Sequence, residues 1–87
     1  MTRMMIFDEI DDERERQAAK WGGVNTGWGT GDCSSHDMRD EVKSVVLTEE
    51  CGEVARAVLE RDAPGLRKEL VQVAAVCVAW LEALERQ

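Results

Sequence analysis

The sequence predicts an all-α domain, an N-terminal helix followed by a helical hairpin, assembling into a four-helix-bundle-type oligomer. Three observations predict it. Apolar residues recur at helical rather than alternating spacing through three segments. The only proline lies in Asp62-Ala63-Pro64-Gly65, between the second and third of them. The last segment is apolar almost all the way round, through Leu70, Val71, Val73, Ala74, Val76, Cys77, Val78, Ala79, Trp80 and Leu81. A helix apolar on every side needs neighbours on every side. Three short helices from one 87-residue chain do not supply them, so self-association follows. With no strands, repeats or linkers, residues 1–87 read as a single domain.

Residues 4 to about 20 form the first helix, with Ile6, Ile10 and Ala18 spaced for one face and the DDERER run turned to solvent. Gly22 to Asp37 follows, with five glycines, Trp28 and the single histidine, His36. A structureless stretch of roughly 15 residues in a small domain is either functional or disordered. The second helix runs from about Met38 to Glu60, with Asp37 as its expected N-cap. In the turn, Asp62 is placed to cap and Pro64 suits a first helical turn. The third helix then covers about Leu66 to Leu84.

Composition narrows the function. A net charge of −7 leaves no basic stripe to neutralise a nucleic acid backbone, and it disfavours anionic membranes. Cys33, Cys51 and Cys77 are odd in number and share no close spacing, which fits reduced thiols in a cytoplasmic protein better than disulfides or zinc. Met1 to Ile10 reads as neither a signal peptide nor a membrane span.

The acids inside the hairpin helices carry the chemistry. Glu49 and Glu53 share a stripe with Val42, Val46 and Ala57, while Glu69 shares one with Val73, Val76 and Trp80. Unpaired carboxylates are costly on a buried face, so a cation is expected there. Counted from Asp62, Glu53 lies nine residues back and Glu69 seven on. At about 1.5 Å per residue the two levels, roughly 13 and 10 Å from the turn, nearly match. Glu50 with Glu53, and Glu69 with Gln72, are i,i+3 neighbours able to face one ion. An all-oxygen donor set favours Mg²⁺, Mn²⁺ or Ca²⁺.

These residues give the chain a resemblance to the MazG-like family of all-α nucleoside triphosphate pyrophosphatases, whose pattern is EExxE on one helix and ExxD on the next. Here the halves are Glu49-Glu50-Cys51-Gly52-Glu53 and Glu69-Leu70-Val71-Gln72, and RERQAAKWG at the end of the first helix extends the likeness over most of the chain. The resemblance implies Mg²⁺-dependent (Mn²⁺ also serving) hydrolysis of the α–β bond of a (deoxy)nucleoside triphosphate to monophosphate and pyrophosphate. It implies Glu50, Glu53 and Glu69 as metal ligands, with Glu49 as a supporting carboxylate, so that Glu49, Glu50 and Glu53 form the catalytic group. It also implies a homodimer or tetramer. Where the family has Asp this chain has Gln72, whose oxygen can ligate a metal but brings no charge.

Lys20, Trp21, Trp28 and Lys43 are the candidate substrate contacts: cations for phosphate, aromatic rings for a base. Each has a plainer role beside this one. Lys20 can face solvent, Trp21 can anchor the first helix, Trp28 can tuck against the bundle, and Lys43 can pair with an acid. A solvated acidic helix face is the plain reading of the Glu cluster. The rival function is a nucleotide- or partner-binding protein whose catalysis Gln72 has weakened or abolished.

Overall fold

The computed structural model describes residues 1–86. They form three helices: α1 (Arg3–Trp21), α2 (Asp40–Leu59) and α3 (Ala63–Glu85). Thr2 caps α1, its hydroxyl accepting from the Met5 N–H at 3.2 Å. Asp62 caps α3 through Gly65 N–H at 3.0 Å, with Pro64 in the first turn as anticipated. The α2–α3 turn is tighter than the Pro-Gly motif suggests. It is made at Glu60–Asp62, where Arg61 takes a left-handed φ of 54°, and the proline lies already inside α3.

α2 begins two residues later than expected, and Asp37 is not its cap. Arg39 holds that position without a side-chain hydrogen bond. The Asp37 carboxylate instead accepts from Thr30 N–H at 2.8 Å, tying the glycine loop to its own end. The reason is competition: an aspartate before a helix serves whichever backbone donor the chain brings nearer. Met38, expected inside the helix, is buried beneath the loop.

The two hairpin helices run antiparallel, with Asp40 accepting from Trp80 Nε1 at 2.9 Å and Glu50 level with Gln72. Their seam forms the core: Cys33, Met38, Val76 and Ala79, with Val42, Val46 and Leu47 packed on it. Ala75, Ala79 and Ala83 are fully buried, and such small side chains let backbones approach closely. α3 is the central element, packed by α2 on one flank and α1 on another, while α1 and α2 do not meet among the described residues.

The DDERER run departs from its solvated reading. Arg14 is the one buried residue of α1, and among its described residues no apolar side chain is buried. Its Nη1 donates to Asp32 Oδ2 at 2.8 Å and its Nε to Glu82 Oε1 at 2.7 Å, joining α1 to the loop and to α3. α1 crosses α3 rather than lying along it. Ile6 and Ile10 stand beside Leu66, Leu70 and Ala74, while Lys20 and Trp21 reach the other side, near Gln72 and Val76. Among the described residues, no helix is long and apolar enough to cross a membrane.

The segment between α1 and α2 has structure despite its glycines. Asn25 and Thr30 form an antiparallel bridge, Thr26 bonds Gly29 O through both N–H and hydroxyl, and Gly31 N–H donates to Val24 O. Gly29 is required here: its φ is 138°, and a Cβ would stand 2.9 Å from Met38 Cα.

Candidate functional site

Where α1 has crossed α3, its last two turns face the hairpin across a cleft of about 420 Å³. Glu13, Arg16, Gln17, Lys20 and Trp21 line the α1 side. The loop closes one end with Trp28 and Asp32, and the opposite wall carries Glu49, Glu50 and Gln72 above Val42, Val46 and Val76. The cleft is therefore a polar slot on an apolar floor.

Across the hairpin it is Glu50, and not the expected Glu53, that bonds to the Gln72–Glu69 turn of α3. The Gln72 side chain lies between two carboxylates, so its amide is oriented by them: the NH₂ donates to Glu69 Oε2 at 2.9 Å and to Glu50 Oε2 at 3.1 Å. That bond pair spans the hairpin and brings Glu50 and Glu69 to one point. Burial pushes the Glu50 carboxyl up from its ordinary value, and the charges of Glu69, Glu49, Glu53 and Glu13 add to it. Glu53 and Glu69 are half-buried and Glu49 is exposed, so the acids line a rim instead of the deeply buried face the stripe arithmetic suggested. Glu53 also has Arg56 at 4.0 Å.

Opposite stands an ion pair that the sequence reading assigned to solvent. Arg16 grips Glu13 with two bonds, Nε–Oε1 at 2.8 Å and Nη2–Oε2 at 2.6 Å. The hydrogen bond from Arg16 holds the Glu13 carboxyl below its usual range. An i,i+3 Glu–Arg pair is legible in sequence, but its direction was not, because it depends on how α1 crosses α3.

Both aromatic candidates line the cleft. Trp21 is partly exposed with Lys20 Nζ 5.2 Å from its ring centroid, and Trp28 is largely exposed at the loop end of the cleft. Lys43 does not join them. It is 1% exposed and does not line the cleft. Its position on α2 is turned into the seam below the loop, so it is a core residue and no accessible phosphate contact.

A divalent cation finds suitable donor chemistry around Gln72: the Glu50 carboxylate on the cleft wall, the Glu69 carboxylate outside the cleft, a raised Glu50 pKa that a cation would relieve, and a neutral amide bonded to both acids, while Glu53 and Glu69 do not line the cleft. Among the described residues, no three of the His, Cys, Asp or Glu side chains converge as a ready-made metal cage. Glu50 and Glu69 fit the ion as a pair, with Glu53 and Glu49 on the adjoining turns. Comparison with family models, with curated proteins and with solved structures returned no match.

Proposed function

We propose that the chain is a metal-dependent nucleoside triphosphate pyrophosphohydrolase, cleaving the α–β bond of (d)NTPs to (d)NMP and pyrophosphate in nucleotide-pool control. The observation that carries this reading is the Gln72 bridge, which joins Glu50, on the cleft wall facing Lys20, Trp21 and Trp28, to Glu69 just outside it. Glu50, Glu53 and Glu69 would hold Mg²⁺ or Mn²⁺, which supplies charge neutralisation and Lewis acidity when bound. Gln72 orients Glu50 and Glu69, and its amide can turn to offer oxygen. Glu49 is exposed at the cleft wall, where a carboxylate can hold a water for in-line attack. Trp21 and Trp28 offer faces for a base. Lys20, at the same end, offers an ammonium for phosphate. The cleft volume lies within the usual range for small-molecule sites, about 300–1,000 Å³.

A second reading has its own observation. The Gln72 amide already places a hydrogen-bond donor between Glu50 and Glu69, where a cation would otherwise be drawn. A nucleotide- or partner-binding protein without turnover would use the same wall in that state.

The test is pyrophosphate release from a panel of canonical and damaged (d)NTPs, with Mg²⁺ or Mn²⁺ and with EDTA. Metal-dependent release with monophosphate as co-product supports the hydrolase, and Glu53→Gln should abolish it while the helical content survives. Silence across the panel from folded protein favours the binding reading.

A further inference from the structure

We infer that the groove between α1 and the first turns of α3, which presents Arg16, Arg67 and Lys68, receives the two terminal phosphates of the substrate and releases them as pyrophosphate. With the hydrolase reading as its premise, this gives the site a polarity: nucleoside at the glycine-loop end, leaving group at the hairpin-turn end.

The helices set that direction. Away from the loop, residue numbers fall along α1 and α3 and rise along α2. Trp21 and Trp28 stand at the loop end of the cleft with Val42 and Val76. Further along, Glu13 and Arg16 face Glu50 and Gln72, and the charge of Glu50 reaches Arg16 across the gap. Beyond them lies a second groove of about 390 Å³, where Arg67 and Lys68 stand opposite α1. Glu13 and Arg16 line both cavities, so their ion pair is the sill between the two. Aromatic faces, acids and cations thus follow one another in the order of base, cleaved bond and terminal phosphates. Lys20, at the aromatic end, is left for the α-phosphate. Lys68 is four residues before Gln72, on the same face of α3 and about 6 Å along it.

The cations of the groove have donors free for a ligand. Arg16 gives Nε and Nη2 to Glu13, and Arg67 gives Nη2 to Glu9 and the Met1 sulfur. A guanidinium carries five N–H groups, so among the described residues Nη1 of each is without a partner. The ion pairs hold both arginines in place: the Glu13 side chain is 12% exposed beneath an Arg16 side chain that is 56% exposed. Lys68 forms no ion pair among the described residues, and its charge acts on Glu13, which places it beside the sill. Phosphate oxygens accept from such groups in charge-assisted bonds. Glu9, Asp12 and Glu13 line the groove as well, which favours a pyrophosphate that arrives with its Mg²⁺ over the bare anion.

Titration calorimetry of the full chain with inorganic pyrophosphate in Mg²⁺ reads the subsite without turnover. Pyrophosphate should bind about tenfold more tightly than orthophosphate, and less tightly in EDTA. Lys68→Ala removes an exposed side chain with no ion pair, so its circular dichroism should match the wild type. It should weaken pyrophosphate about tenfold, the worth of one charge-assisted hydrogen bond, and Lys68→Arg should restore it. Nucleoside monophosphates, which lack the terminal phosphates, should bind Lys68→Ala as they bind the wild type. No binding of pyrophosphate, binding indifferent to Lys68→Ala, or an equal loss of monophosphate binding would each overturn the subsite. Failure of the reaction looks different: the (d)NTP panel then releases nothing, while pyrophosphate still binds in a manner that depends on Lys68. A working hydrolase whose KM for the triphosphate ignores Lys68→Ala would keep the reaction and remove the subsite.

Discussion

Arg14 is the residue on which three parts of the chain depend. Its guanidinium is shared between Asp32 and Glu82, and Asp32 also accepts from Ser34 N–H and hydroxyl. Burial pushes the Asp32 carboxyl up, yet the Ser34 and Arg14 bonds outweigh it and leave the pKa below its ordinary value. A depressed folded pKa contributes stability above the unfolded pKa, about 3.9, which is lost as pH falls through the folded one. Asp32→Asn should therefore cost about 3 kcal/mol in urea titrations at pH 7 and flatten the acid limb of stability. Glu50 has the opposite sign. Its pKa is raised, so the metal-free protein should gain stability as pH falls through it, and Glu50→Gln should raise Tm at pH 7 in EDTA while removing metal-induced stabilisation. Gln72→Asp should do the reverse, lowering Tm in EDTA and enlarging the Mg²⁺-induced rise. The turn count put Glu53 level with Glu69, whereas the structure sets Glu50 against Gln72 and Glu69, because the turn closes at Glu60–Asp62 and shifts the register that counting from Asp62 assumed. Arg14 was not legible in sequence, because its partners lie 18 and 68 residues away and no local pattern names them.

At the scale of elements, the helices were legible from periodicity and from Asp62 and Pro64, whose effects are local. The glycine loop was not, since its order comes from long-range ties: Cys33 and Met38 in the core, and Arg86 Nη1 donating to Ser34 O at 3.1 Å. Gly29→Ala tests how far that order matters. A Cβ at a φ of 138° and 2.9 Å from Met38 Cα has no room, and a strained backbone of this kind costs about 1–3 kcal/mol. Thermal unfolding should report the loss, and the environment of Trp28, the neighbour of Gly29 in the chain, should change in near-ultraviolet circular dichroism. Lys43 shows the limit of stripe arithmetic on α2. One position round from Val42 is enough to move a side chain from the cleft wall to the buried seam.

For the whole molecule, what could not be read in advance was the direction in which α1 crosses α3, and with it which acids and bases share a cleft. Nothing in the apolar spacing of α1 selects that angle, because the described residues of α1 bury no apolar side chain on which to register. α1 is held by charged groups, Arg14 with Asp32 and Glu82, and Glu9 with Arg67 at 2.6 Å. Its release would expose little apolar surface, so it should separate from the hairpin well before the molecule unfolds. Amide hydrogen exchange should then show two classes: α1 exchanging through a low-energy opening weakened further by salt, and the centre of α3 exchanging only with global unfolding. Because Lys20 and Trp21 ride on α1, each such opening also dismantles one wall of the cleft. Any ligand of that cleft must slow exchange in a helix it touches only at its end.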